Sequence, residues 1–103
     1  MLLLDDDLNT DETPVFRTTH GGTVFVSASS GAAGSTVYDT MTVQVSFDNS
    51  TFFTYAPAGT AAVIEALGIH EYNIPGGLYC RVDGGASTAY VKVDIGGNAV
   101  VMD

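Results

Sequence analysis

Hydrophobic and polar residues alternate most regularly over residues 41–47. Apolar side chains occupy every second position, and the polar residues Thr42, Gln44 and Ser46 lie between them. The apolar set comprises Met41, Val43, Val45 and Phe47. Because successive side chains of a strand point to opposite faces of a sheet, this pattern predicts a half-buried antiparallel strand.

A polar turn follows this strand and predicts a hairpin. Asp48, Asn49 and Ser50 carry the short polar side chains that bond nearby backbone groups in turns. Residues 51–56 form the predicted return strand, which ends at the proline and glycine of residues 57–59.

Short apolar runs separated by turn residues recur along the rest of the chain. They predict strands over residues 15–19, 23–27, 69–74, 78–82, 88–95 and 99–102. The glycine pairs at 21–22, 76–77, 84–85 and 96–97 are typical of hairpin turns. Residues 61–67 fit a strand, a single helical turn or a two-turn helix equally well. We therefore predict an all-β fold, an antiparallel β-sandwich (jelly-roll or immunoglobulin-like) of seven to eight short strands with an extended N-terminal arm.

The N-terminal arm, residues 1–14, differs in composition from the sandwich domain predicted over residues 15–103. It begins with three leucines and three aspartates, and its polar part, residues 5–13, is typical of a loop. Three consecutive exposed leucines are unusual, so we expect the arm to dock on its own subunit or on a neighbour. The residues predicted to form a partner interface are Leu2, Leu3, Leu4, Asp5, Asp6 and Asp7.

The charge balance narrows the choice of partners. Twelve carboxylates face three basic residues, which gives a net charge of −9. Such a chain repels phosphate backbones and anionic lipid, so we expect no nucleic acid and no membrane as partners, whereas a basic protein surface would attract it. Charged residues make up only 15% of the chain, which suggests that partners cover part of its surface. No signal segment and no apolar run of membrane-spanning length is evident, so synthesis in a cytoplasm is expected.

The sequence does not predict an enzyme site, a metal site or a cofactor. Asp5, Asp7, Asn9 and Asp11 alternate as in a calcium loop, but the central glycine and the closing carboxylate are missing. His20 and His70 lie far apart in the sequence, with no spacing typical of metal ligands. Three carboxylates could in principle meet at one sheet edge, as in a glycosidase; they are Asp48, Asp83 and Asp94.

Cysteine and tyrosine bear on two further possibilities. Cys80, the single cysteine, lies in a predicted strand on the same face as Leu78 and Val82, which favours a buried and inert thiol. Aromatic residues on a sandwich face can stack on sugars, so a carbohydrate-binding module is an alternative function, although the chain has no tryptophan. Its five tyrosines are Tyr38, Tyr55, Tyr72, Tyr79 and Tyr90.

Three blocks of the chain resemble small structural proteins of tailed bacteriophages. In that family a strand ending in Gln-x-Ser precedes an Asp or Gly turn and an aromatic residue, as in residues 42–52, TVQVSFDNSTF. A glycine turn then leads into Tyr-x-Arg-Val, as in residues 75–82, PGGLYCRV, and a second glycine turn follows in residues 84–88, GGAST. The resemblance covers roughly residues 20–97, and the acidic arm and residues 61–67 depart from it.

The resemblance implies a non-enzymatic virion protein. Such proteins include head decoration or cement subunits, which stabilise the phage head by bridging capsid subunits and often associate as trimers. On this basis the expected partners are the major capsid protein and copies of the chain, and the expected location is the capsid surface, after synthesis in the cytoplasm of a bacterial host. A head–tail adaptor or a tail component of the virion is the alternative within the same family.

Overall fold

The computed structural model of the chain describes residues 2–8, 12–18, 22–30, 41–65, 68–84 and 91–101. These residues form ten strands, and every pairing between strands is antiparallel. The strands are β1 (Leu2–Leu8), β2 (Phe16–Thr18), β3 (Gly22–Ser30), β4 (Met41–Ser46), β5 (Phe53–Thr54), β6 (Val63–Ile64), β7 (Gly68–Ile74), β8 (Tyr79–Asp83), β9 (Val91–Gly97) and β10 (Ala99–Val101).

The strands form two sheets, and successive strands alternate between them except for β4, β5 and β6, which lie in the same sheet. One sheet has the order β1-β9-β3-β7, and the other has the order β10-β2-β8-β4-β5, with β6 also paired to β4. The pairs β1·β9, β2·β8, β3·β7 and β4·β5 are nested around the turn at residues 47–52, as in one long hairpin folded over twice. This nesting in two sheets is the topology of a jelly roll, with β10 as an additional edge strand. The predicted antiparallel sandwich is confirmed, in its jelly-roll form.

The hydrophobic core lies between the two sheets. Alternate residues of the long strands point inward, and the largest of them are completely buried, which stabilises the fold by roughly 1.5–3 kcal/mol for each large aliphatic or aromatic side chain. The fully buried large side chains are Phe16, Met41, Ile64, Ile74, Ile95, Val24, Val26, Val43, Val82 and Val93. Both sheets contribute to this set, so each sheet covers the apolar face of the other.

Strand β1 was not predicted, strand β6 falls in the segment whose prediction was ambiguous, and both lie at sheet edges. Residues 2–8 pair with β9 as strand β1, so the loop predicted from Asp5 onward is wrong for residues 5–8. Charged residues are common in edge strands because they discourage pairing with other chains, which explains how an acidic run can belong to a sheet. Strand β6 resolves the ambiguity at Val63 and Ile64 in favour of strand, whereas residues 66–67 lie outside the described part.

Strands β5 and β6 are two halves of one interrupted edge strand. Val43 in β4 bonds to both halves, because Tyr55 N–H donates to its carbonyl (2.8 Å) and its own N–H donates to the Ala62 carbonyl (3.0 Å). The chain between them contains a short 3₁₀ turn, Pro57–Gly59, in which Ala58 and Gly59 have positive φ. This excursion breaks the hydrogen-bonding edge of the six-stranded sheet into short pieces.

Gly97, the last residue of β9, lies very close to the backbone of β3 in the four-stranded sheet. Its φ is +71°, and a Cβ atom at this position would collide with the Thr23 carbonyl oxygen and lie 3.1 Å from the Phe25 ring. Asn98 N–H donates to the same carbonyl at 3.0 Å. The approach of the two strands therefore requires glycine at this position.

Several sequence predictions concern residues outside the described part of the chain. They include the first two residues of the turn predicted at residues 20–22 and the start of the predicted strand over residues 88–95. The small residues 29–35 are typical of a loop, but Ser29 and Ser30 belong to β3, and residues 31–35 lie outside the described part. Tyr38 and Tyr90 also fall there.

Candidate functional site

Phe47 departs from the alternating pattern that predicted its strand. Met41 and Val43 are buried as expected, but β4 ends at Ser46, and Phe47 is 85% exposed. The Ser46 hydroxyl is buried in its place. A large aromatic side chain that the fold leaves in solvent is a candidate for contact with another molecule.

The turn that follows holds Phe47 in this position. One oxygen of Asp48, Oδ1, accepts hydrogen bonds from the Ser46 hydroxyl (2.9 Å), the Ser50 N–H (2.9 Å) and the Thr51 N–H (3.0 Å). Asn49 takes a positive φ of 60°, which asparagine tolerates better than most residues. The predicted turn chemistry of residues 48–50 is confirmed, and it directs the chain away from the sheet directly after Ser46.

These hydrogen bonds also set the titration of Asp48. The N–H groups of Thr51 and Ser50 and the Ser46 hydroxyl, in that order, hold the pKa of Asp48 below its ordinary value. Because the folded pKa is the lower one, this stabilisation is present above the pKa of the unfolded chain and is lost as the pH falls through the folded pKa.

We expect Asp48→Ala to lower the melting temperature at neutral pH. The difference from wild type should begin to narrow as the pH falls below about 4, where the carboxyl group of the unfolded chain is protonated, and should be smallest once the pH is below the folded pKa. Melting curves of both proteins between neutral and acidic pH would test this. Asp48→Asn is the matched control, because it keeps an acceptor oxygen without the charge and should lose less at neutral pH. A difference between wild type and Asp48→Ala that stays constant down to acidic pH would contradict the assignment.

An open apolar pocket lies beside Phe47. It has a volume of about 290 Å³ and is lined by Val45, Ser46, Phe47, Phe53, Tyr55, Pro75 and Leu78. Val45 pairs with Phe53 across β4 and β5, so the two side chains share one face of the sheet. Phe53 is 60% exposed, whereas Val45, Tyr55 and Leu78 pack partly against the core. The pocket is thus an apolar surface that is continuous with the hydrophobic core.

The two hydroxyl groups in the pocket lining already have partners. The Ser46 hydroxyl donates to Asp48, and the Tyr55 hydroxyl donates to the Asn73 carbonyl at 2.6 Å. The second bond joins the chain after β5 to β7 of the opposite sheet and fixes one wall of the pocket. Neither hydroxyl is therefore placed to orient a polar ligand, and the lining is suited to an apolar group.

The arginine side chains lie on aromatic rings of the opposite, outer face of the six-stranded sheet. The Arg17 guanidinium lies 4.3 Å from the Tyr79 ring centre, and that of Arg81 lies 4.0 Å from the Phe52 ring centre. Arg81 also donates to the Gln44 side chain (2.7 Å) and pairs loosely with Glu12 at 3.8 Å. The guanidinium groups of both arginines are therefore occupied by contacts within the protein.

Cys80 is a core residue, as its place in the sequence predicted. It is completely buried, and burial raises the pKa of the thiol to about 12. Thiolate is the reactive form, so the native protein should not react with Ellman's reagent at mildly alkaline pH. We expect one equivalent of thiol to react only after urea is added. Rapid reaction of the native protein would contradict the assignment.

The predicted interface residues of the arm are placed by their backbone. Strand β1 sets Leu2 opposite Ile95 and Asp5 opposite Val93, with two register shifts along the pairing. The side chains of residues 2–7 are outside the described part of the structure, so their contacts remain a prediction. The docking of the arm's backbone on its own sheet is one of the two arrangements that the sequence suggested.

The other predicted groups do not meet at one site. Asp48 follows the end of β4 at which Ser46 pairs with Tyr79, the first residue of β8, whereas Asp83 is the last residue of β8. Asp94 belongs to β9 in the other sheet. His70 lies on β7, and His20 is outside the described residues. Among the described side chains, no three of the His, Cys, Asp and Glu type come close enough to hold a metal ion.

The tyrosines that the structure describes are held by internal contacts. Tyr79 is covered by Arg17, and Tyr55 bonds to Asn73. Tyr72 packs against the core, its hydroxyl donates to the Val63 carbonyl at 3.4 Å, and burial raises its pKa. None of the three is therefore an exposed platform for stacking a sugar ring.

Sequence reasoning missed the two exposed phenylalanines. It placed Phe47 on the apolar face of a strand and treated residues 51–56 as an ordinary return strand. One signal was present: three phenylalanines, Phe47, Phe52 and Phe53, flank a four-residue polar turn. A two-residue edge strand cannot bury that many aromatic rings, and the excess could have indicated an exposed apolar surface.

No helix within the described ranges has the length and hydropathy that crossing a membrane requires. Comparison with protein-family models, curated proteins and solved structures found no match to this chain.

Proposed function

We propose that this protein is a non-enzymatic structural subunit of a virion, which decorates the capsid and stabilises the head by bridging capsid subunits. The observation that carries the proposal is the apolar pocket between Phe47 and Phe53 on a strongly acidic domain. An exposed apolar surface with a polar rim is typical of protein–protein contacts.

Two further arguments support a virion role. The two phage-like sequence blocks contribute five of the seven pocket-lining residues: residues 42–52 contain Val45, Ser46 and Phe47, and residues 75–82 contain Pro75 and Leu78. The jelly roll is a common architecture of viral capsid proteins, although it also occurs in lectins and cupins, so this second argument is one of analogy.

The arm would provide a second contact in this proposal. Strand β1 ends the order of its sheet, so one side of its backbone has no partner strand in the described part of the chain. Leu2, Leu3 and Leu4 would contact a neighbouring subunit, and Asp5, Asp6 and Asp7 would meet basic groups of the capsid. The aspartates of β1 discourage indiscriminate pairing along this edge, so we expect a basic partner to be the one that contacts it.

The test is the composition of purified particles. Virions from a lysate of the strain that carries the gene should contain the protein in many copies, as measured by mass spectrometry after density-gradient banding. A variant in which Asp5, Asp6 and Asp7 are changed to asparagine keeps the backbone pairing of β1. Once circular dichroism has shown that it is folded, it should occupy fewer sites on particles that lack the wild-type protein. Absence of the wild-type protein from banded particles would refute the proposed function.

The mass of the purified protein in solution separates two positions in the virion. Light scattering that gives three times the chain mass would favour a decoration trimer. A ring of higher order would favour the head–tail adaptor.

A further inference from the structure

The domain that carries the pocket has a large excess of negative charge, since twelve carboxylates face three basic residues. Asp48 directly follows Phe47, and Glu71 lies two residues before Asn73, whose carbonyl accepts the Tyr55 hydroxyl. Both carboxylates are on exposed residues. The three basic groups do not offset this excess. Arg17 lies on the Tyr79 ring and donates to the Gly77 carbonyl at 3.1 Å, Arg81 lies on the Phe52 ring, and Lys92 lies on β9 of the other sheet.

The net charge argues against a second copy of the chain as the occupant. Two chains that each carry −9 repel one another, and the described pocket offers no basic side chain to offset this. The exposed parts of Phe47 and Phe53 amount to roughly 300 Å². Two copies meeting through this surface alone would bury about half of the smallest standard interface. The pocket is therefore better suited to anchoring one side chain within a larger contact.

The residues that line the pocket determine which kind of partner side chain it can bind. The Ser46 and Tyr55 hydroxyls are bonded within the protein, and the other lining side chains are apolar. The volume of about 290 Å³ accommodates a leucine or phenylalanine side chain with room to spare. The net charge of −9 favours positive charge in the residues that flank this group.

We propose that the pocket between Phe47 and Phe53 binds an apolar side chain carried on a lysine- or arginine-rich segment of another protein. This inference rests on the proposed function, in which that segment belongs to the capsid partner, and it specifies the chemistry of the contact. Attraction between the acidic domain and the basic segment brings the two together, and burial of the apolar side chain holds them.

The test uses blocked synthetic peptides and the isotope-labelled full chain. Peptide KKLFKK should shift the amide resonances of Val45, Phe53 and Leu78, and added salt should weaken the effect. Peptides EELFEE and KKSSKK, which change only the charge or only the apolar pair, should bind roughly tenfold more weakly or not at all. Phe53→Ser should reduce the binding of KKLFKK.

Val100→Ser is the matched control, because Val100 is also exposed (48%) but lies in β10, at the opposite edge of the same sheet from β5. It should leave binding unchanged. Equal binding of EELFEE or KKSSKK, or no shift with KKLFKK, would overturn the inference. Shifts of the same amides on raising the protein concentration alone would overturn it in favour of self-association.

The two proposals can fail separately. Peptide binding by a protein that is absent from virions would refute the virion role alone. A virion protein that does not bind KKLFKK would refute the pocket assignment alone.

Discussion

Replacing Phe16 with alanine should lower the free energy of unfolding by roughly 3–5 kcal/mol. Phe16 is completely buried, and it lies in β2, which pairs with β8 on one side and β10 on the other. The substitution removes the largest side chain of the core and leaves a cavity that short strands on both sides cannot close by moving. Since domains of this size are stable by roughly 5–15 kcal/mol, the variant should approach the limit of folding.

The same substitution at Phe47 is the matched control. Phe47 is 85% exposed, so Phe47→Ala should change the free energy of unfolding by less than about 0.5 kcal/mol. Urea denaturation of the two variants and the wild type measures both effects. A loss at Phe47 comparable to the loss at Phe16 would mean that Phe47 supports the fold, and the case for a binding surface would fail with it.

Gly97→Ala should lower the free energy of unfolding by roughly 2–4 kcal/mol. Two costs combine at this position. An alanine with a φ of +71° is strained, and its methyl group would collide with the Thr23 carbonyl oxygen and crowd the Phe25 ring. Relief would require β9 to move away from β3, which would weaken the centre of the four-stranded sheet.

Gly59→Ala separates the two costs. Gly59 also has a positive φ, +81°, but a Cβ atom there would have no neighbour within 4 Å. Only the backbone strain applies, so we expect a loss of about 1 kcal/mol. Thermal and urea unfolding of the two variants would measure the difference. Equal losses at Gly59 and Gly97 would show that the contact with Thr23 contributes nothing.

The fold class was predictable because it depends on local patterns. Alternation over residues 41–46 and the polar turn at residues 48–50 are both local features, and both are confirmed. The eight predicted strands correspond to strands of the structure, with small differences at their ends. Strand β1 was not predicted, because its pairing with β9 joins the two ends of the chain and leaves no local pattern in an acidic run.

The candidate site could not be predicted from the same patterns. Alternation assigns a residue to a face of a strand, but it does not show where the opposite sheet stops covering that face. Val45 and Phe47 share a pattern, yet one packs partly against the core and the other is exposed. The pocket also needs Pro75 and Leu78 from a distant turn, and only the folded chain brings them together.

The nested pairing of the strands sets an order in which the protein can form. Strands β4 and β5 are close in the sequence and can pair first, whereas Leu2 must wait for Ile95, which follows far later in the sequence. Folding should therefore proceed outward from the turn at residues 47–52, and pairings between distant segments make it slow, on the scale of milliseconds to seconds. On the ribosome, β1 emerges well before β9, so its acidic residues would keep this segment soluble until β9 is available for pairing.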